Sequence, residues 1–146
     1  MFKFRKFDIK NLDECIDLYI DVFSKYPYYE DNTFEDTKIY FNNLMKMNTN
    51  INFILKENNK IIALSLGFIK PYYTKQEYCL EQLCVLSSKQ NKGVGSFFIK
   101  EITNYLKKED ISAIILNTEN KYKAMDFYKK NGFIELSEFS ILAYYI

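Results

Sequence analysis

Leu83-Cys84-Val85-Leu86-Ser87-Ser88-Lys89-Gln90-Asn91-Lys92-Gly93-Val94-Gly95-Ser96 runs from an apolar strand through a polar loop into the first turn of a helix. Two glycines two residues apart at a helix start let backbone approach a ligand closely. The unpaired N–H groups of the first turn and the positive end of the helix dipole favour an anion there, so the expected ligand carries phosphate. The loop is not a Walker loop, because no Gly-Lys-Ser/Thr occurs. Nor is it a dinucleotide fingerprint, because Phe98 stands where the third glycine would be.

Downstream, Val94, Phe97, Phe98, Ile102, Tyr105 and Leu106 recur at helical spacing and extend the loop into a helix with one apolar face. Ile111 to Thr118 then reads as a short buried strand, and Lys121 to Asn131 as a helix stopped by Gly132. Two terminal strands are expected in Phe133 to Ile146.

Upstream, alternation over Met1 to Ile9 reads as a strand, and Leu12, Cys15, Ile16, Tyr19, Ile20 and Phe23 as the stripe of a helix capped by Asn11 or Asp13. Pro27 breaks that helix. Thr33 with Asp36 opens a second helix to about Met47, Ile51 to Lys56 and Lys60 to Ile69 form a hairpin, and Glu77 to Leu86 forms the next strand. The order is β-α-α-β-β-β-α-β-α-β-β, an α/β arrangement in one domain spanning residues 1–146.

Balanced charge, net +1 over 146 residues, gives no electrostatic grip on nucleic acid or an anionic membrane. No apolar run spans a bilayer and the N-terminus lacks a secretory pattern, so the cytoplasm is the expected location. Cys15, Cys79 and Cys84 lack C-x-x-C spacing and sit in apolar contexts, which reads as reduced core thiols. The chain has no histidine, which removes histidine triads and histidine metal sites and leaves carboxylates, tyrosines, lysines and thiols for proton transfer.

Gln90-x-x-Gly93-x-Gly95 after an apolar strand resembles the pyrophosphate loop of the GCN5-related N-acetyltransferases. Ala124-Met125-Asp126-Phe127-Tyr128-Lys129-Lys130-Asn131-Gly132-Phe133 resembles the same family's A-x-x-F-Y-x-x-x-G-F signature, and three of the chain's four glycines lie in these two motifs. The resemblance covers nearly the whole chain. It implies the acyl-CoA N-acyltransferase fold, a mixed and mostly antiparallel sheet flanked by about four helices, with acetyl-CoA as cosubstrate and no metal.

By the resemblance, the pantetheine arm lies where two strands splay, against the backbone of Leu83 and Val85, and the Leu83 N–H is the candidate oxyanion donor. Gln90, Asn91, Lys92, Gly93, Val94, Gly95 and Ser96 would cradle the pyrophosphate. Many family members have Asn three residues before the motif alanine; Lys121 stands there, with Asn120 beside it as the neighbouring amide for the pantetheine. Tyr128 takes the motif tyrosine's place, to protonate the leaving thiolate or hold the sulfur. Glu81, expected in register with Leu83 and Val85 by the two-residue repeat, resembles the strand acid of some members and is the candidate base. Glu77, Glu30 and Asp31 are alternatives.

Tyr26-Pro27-Tyr28-Tyr29-Glu30-Asp31 is aromatic and acidic, a composition suited to a cationic amine, and resembles the Pro-aromatic loop of aminoglycoside-type members. The acceptor is thus a small-molecule or peptide amine, and the assembly a monomer or homodimer. Two other readings stand beside this one: a non-catalytic acyl-CoA-binding sensor, and an acetyltransferase acting on charged tRNA, which would want a basic face.

Overall fold

The computed structural model describes all 146 residues, Met1–Ile146. Five strands form one sheet in sequence order: β1 (Phe2–Lys6), β2 (Phe53–Glu57), β3 (Lys60–Tyr72), β4 (Lys75–Val85) and β5 (Ala113–Ile115). Neighbours are antiparallel except β4 and β5, which are parallel. Parallel strands need a crossover. Helix α3 (Val94–Lys108) supplies it, and α1 (Leu12–Phe23), α2 (Phe34–Met45) and α4 (Ala124–Lys130) complete the helices.

The sheet separates two apolar layers. Leu12, Cys15, Ile16, Tyr19 and Val22 of α1 and Phe41 of α2 pack on Ile54, Leu64, Leu66 and Cys84. On the opposite face Val94, Phe98, Ile102 and Leu106 of α3 cover Phe53, Leu55, Ala63, Tyr78 and Leu80, and Tyr128 packs against this layer.

Local chemistry explains the turns. Asn58 and Asn59 both take positive φ, 49° and 63°, between β2 and β3. This is the two-residue geometry that suits strand twist and that asparagine tolerates. The Thr33 hydroxyl accepts from the Asp36 N–H at 3.1 Å and starts α2 as expected. The first helix is capped differently from the expectation. Asp8 accepts from the Lys10 N–H while Asn11 Oδ1 accepts from the Asp8 N–H, a reciprocal cap on a short turn, Ile9–Asn11, that leads into α1 without a side-chain cap at Asn11.

The C-terminal expectation fails. Residues 133–146 form no strand, and from Ile134 onward their apolar side chains stand in solvent, Ile134 81% and Leu142 91% exposed. A strand persists only where a ladder pairs it, and β5, three residues long, offers a very short free edge. The space between that edge, α4 and the terminal segment is a cavity of about 1410 Å³. β5 is shorter than Ile111 to Thr118 for a related reason, since its pairing with β4 ends at Cys79–Ile115.

Candidate active site

The parting of β4 from β5 makes the site. Pairing runs from Glu77–Ala113 to Cys79–Ile115 and stops, so from Leu80 onward β4 is hydrogen-bonded only to β3. The Leu86 N–H donates to Ile62 O of β3 at 2.9 Å. Main-chain groups alternate sides along an antiparallel strand, so those of Leu83 and Val85 face the open edge. Val85 O is occupied there by the Gln90 side-chain amide, which donates to it at 2.9 Å. The edge therefore offers the N–H and C=O of Leu83 and the N–H of Val85, the two residues to which the family resemblance pointed.

Between the paired and open halves lies a β-bulge. Leu66 opposes Gln82 while Gly67 opposes Leu80, which leaves Glu81 as the extra residue. Gly67 permits it: a Cβ there would lie 2.5 Å from Cys79 O and 2.6 Å from the Tyr78 ring. The Tyr78 hydroxyl is bonded to Ser65 at 3.0 Å and donates to Ile51 O at 3.1 Å, so the ring cannot easily retreat. The bulge interrupts the two-residue repeat at Glu81 itself. Leu80 packs on the α3 layer and so do Leu83 and Val85, a change of parity that a two-residue repeat does not allow.

Glu81 is exposed and its carboxylate makes no hydrogen bond or ion pair within the protein. Its charge is felt by Tyr40 of α2. Burial chiefly raises that phenol's pKa, the hydrogen bond from Gln82 Nε2 at 3.0 Å opposes the rise, and Glu81 and then Glu30 add to it. Among the alternatives, Glu77 pairs with Lys70 at the closed end of β4, 3.7 Å away, and is remote from the opening. Glu30 accepts from Asn32 Nδ2 at 2.6 Å, and Asp31 is exposed.

At the mouth of the opening the chain leaves β4 through a 3-10 turn, Ser87–Lys89, and enters α3. Asn91 and Gly93 take left-handed φ, 58° and 78°. Gly93 is the N-cap of α3 and carries no side chain, so no cap of its own occupies the N–H groups of Val94, Gly95 and Ser96. The two glycines have separate reasons. Gly93 supplies the left-handed backbone with open space around it, whereas a Cβ on Gly95 would lie 2.9 Å from the Phe127 ring of α4. Gly95 thus seats α4 against α3, a role beyond the expected ligand approach. Lys92 Nζ donates to Ser88 O at 2.9 Å, and Lys89 pairs with Glu57 of the β2–β3 hairpin. Asn120 is exposed in the turns before α4 and its side chain bonds nothing in the protein.

Tyr128 projects from α4, its ring edge-on to Phe127 and Phe133 at 5.3 and 5.2 Å. Its hydroxyl has no partner within the protein. Burial raises its pKa, with Tyr28 and then Cys84 adding to the rise, and the ring packs against the α3-side layer that Leu83 and Val85 also border. That loop is anchored to the end of α1: Lys25 O accepts from the N–H groups of Tyr28 and Tyr29 at 3.0 and 3.1 Å, and Phe23 O accepts from that of Glu30 at 2.8 Å. The Tyr28 ring sits between Phe23 at 4.8 Å and Tyr122 at 4.9 Å. Tyr122, Tyr40 and Gln82 join the site without having been singled out from sequence. Gln82 was hidden by the bulge, and the two tyrosines reach the site through loop and helix packing that periodicity does not report.

An anion seat at a helix start, an adjoining strand edge with free amides and a phenol beside that edge all lie within the residues that one family model matches. The Acetyltransferase (GNAT) family model matches residues 12–133. The chain belongs to the GNAT acetyltransferases. Solved structures share the fold over nearly their whole length. A possible acetyltransferase from Clostridium difficile 630 has a TM-score of 0.86 at 14% identity, covering 100% of this chain and 98% of that one. A transcriptional regulator from Bacillus halodurans C-125 has a TM-score of 0.79 at 16% identity, covering 99% and 100%. Aminoglycoside N-acetyltransferase AAC(6')-Iy, solved with CoA, has a TM-score of 0.75 at 14% identity, covering 100% and 94%. No curated protein matches the chain. In this GNAT chain, as in its sequence, no helix is long and apolar enough to cross a membrane.

Proposed function

We propose that this chain transfers an acetyl group from acetyl-CoA to a primary amine of a small molecule, by direct attack while both substrates are bound. The observation that supports this best is the open edge of β4 with its unpaired Leu83 N–H, flanked by the capless start of α3 on one side and the partner-free Tyr128 hydroxyl on the other. The N–H groups of Val94, Gly95 and Ser96 receive the pyrophosphate. The Leu83 N–H donates to the thioester oxygen as negative charge grows on it.

Tyr128 acts on the sulfur. With its pKa raised by burial the phenol stays protonated throughout the neutral range, so it is always a donor. The same shift leaves the phenol a weaker acid than the CoA thiol, so it keeps its proton and donates a hydrogen bond to the sulfur that strengthens as the C–S bond breaks and charge gathers there. The amine enters from the loop of Tyr28 and Glu30, where aromatic faces and carboxylates suit a cation. It must then lose a proton. Glu81, exposed beside Tyr40 and Gln82, is the carboxylate proposed to take it, directly or through water.

The test follows CoA thiol release over a panel of diamines, aminoglycosides, amino acids and N-terminal peptides. Acetyl-CoA-dependent release with a cationic amine, and none with neutral or anionic acceptors, is expected. CoA binding without release on any amine favours an acyl-CoA sensor instead.

A further inference from the structure

Asp21 lies in the last turn of α1, where the negative end of the helix dipole disfavours a carboxylate. Its side chain reaches away from the helix to the loop that leads into α3. Oδ2 accepts from the Ser87 hydroxyl at 2.9 Å and from the Ser87 N–H at 3.3 Å, and Oδ1 accepts from Lys25 Nζ. Ser87 is the first residue of the turn after β4. The other side-chain bonds to loop backbone are internal, Gln90 to Val85 O and Lys92 to Ser88 O. Asp21 is thus the side chain from elsewhere in the fold that fixes the loop's main chain.

We propose that Asp21 is a positioning residue for acetyl-CoA: by holding Ser87 through both its N–H and its hydroxyl, it sets the direction in which the chain leaves β4 and so the place of the amides at the start of α3. This rests on the reading of that loop as the pyrophosphate seat. The choice of an acid at a position where helix preference opposes one is what a functional constraint leaves in a sequence. Partial burial raises the carboxyl pKa, but the hydrogen bonds from Lys25 and Ser87 outweigh this and hold it below the ordinary value, so the acceptor is ionised across the neutral range. The same end of α1 carries the backbone of Tyr28, Tyr29 and Glu30. One helix end therefore supports both mouths of the cleft.

The test compares Asp21→Ala, Asp21→Asn and Gly93→Val with the unaltered chain, by calorimetry with coenzyme A and by steady-state kinetics. In Asp21→Ala the CoA dissociation constant and the KM for acetyl-CoA are expected to rise about tenfold, the scale of one charge-assisted hydrogen bond. Turnover and the amine KM should stay within about twofold, because the chemistry of Leu83 and Tyr128 is untouched. Asp21→Asn keeps an acceptor oxygen and should recover part of the affinity. The ligand-free melting temperature should fall only slightly, because alanine's better fit in the last turn offsets part of the hydrogen bonding that is lost. Unchanged or tighter CoA binding in Asp21→Ala, with binding lost in Gly93→Val, overturns the proposal alone. Unchanged binding in both variants overturns the pyrophosphate reading and this proposal with it. A joint loss of stability, turnover and both affinities assigns Asp21 a merely structural role and also overturns it.

Discussion

Tyr128 separates chemistry from packing more cleanly than any other side chain here. Its ring is wedged between Phe127 and Phe133, whereas its hydroxyl bonds nothing in the protein. Tyr128→Phe therefore keeps the packing and loses no internal hydrogen bond, and stability should change by less than about 1 kcal/mol. If the phenol donates to the departing sulfur, turnover should fall by about 10²–10⁴-fold at saturating substrates, with acetyl-CoA affinity little changed. Near-normal turnover, measured where chemistry limits the rate, reduces the tyrosine to a spacer. The two loop glycines allow a second residue-scale prediction. Gly93→Ala meets no neighbour but forces alanine into φ near 78°, at a cost of about 1–2 kcal/mol. Gly95→Ala meets the Phe127 ring at 2.9 Å, and so must displace α4, which carries Tyr128. Urea midpoints should drop in both, but only Gly95→Ala should also lower turnover at saturating acetyl-CoA. Equal kinetic effects would mean that α4 does not lean on Gly95.

At the scale of elements, the bulge in β4 decides where the site is. It turns the strand so that the paired half meets β5 and the open half does not, and it depends on Gly67 having no side chain. Gly67→Ala puts a methyl 2.5 Å from a backbone carbonyl and 2.6 Å from a tyrosine ring tethered by two hydrogen bonds. Overpacking of this kind costs about 1–3 kcal/mol or more, and here the relaxation has to move β4 itself. Loss of coenzyme A binding in calorimetry should accompany the loss of stability. A variant that is destabilised yet binds normally would uncouple the bulge from the opening. The bulge also marks the limit of what was legible beforehand. Helix stripes, the Thr33 cap and the Asn58-Asn59 turn followed from periodicity and turn chemistry, which are local, whereas Leu83 and Val85 were named only by the family resemblance. The phase of Glu81 depended on one extra residue, which alternation cannot register. The short β5 and the unpaired residues 133–146 depended on whether a partner edge existed, which is a property of the assembled sheet. The cap at Asp8 and the bond from Asp21 to Ser87, 66 residues apart, were likewise invisible to spacing rules.

For the molecule as a whole, the buried acids that matter most to stability are weak ones. Cys15 and Cys84 lie in the layer between α1, α2 and the sheet, at 0% and 4% exposure. Burial pushes the Cys15 thiol from 9.0 to about 12, with Glu14 adding to the rise, and lifts Cys84 further, with Cys15 and Asp21 adding. Burial likewise raises Tyr19, Tyr78 and Tyr128. In the unfolded chain both thiols ionise near their ordinary value, while in the folded chain they keep their protons. Above that value the unfolded state binds fewer protons than the folded one, so the free energy of unfolding falls as pH rises, and below it the two thiols contribute no slope. Each should cost about 1.4 kcal/mol per pH unit, so the pair removes about 3 kcal/mol by pH 10, before the tyrosines begin to add their share. Denaturant midpoints measured under reducing conditions should be level between pH 7 and 8 and then decline steeply between pH 9 and 10.5. Cys15→Ala with Cys84→Ala should start lower at pH 7, because it opens cavities, yet decline less over the alkaline interval. A wild-type midpoint that stays level to pH 10.5 would mean that these thiols reach solvent, and that the layer joining α1 to the sheet is looser than its burial implies.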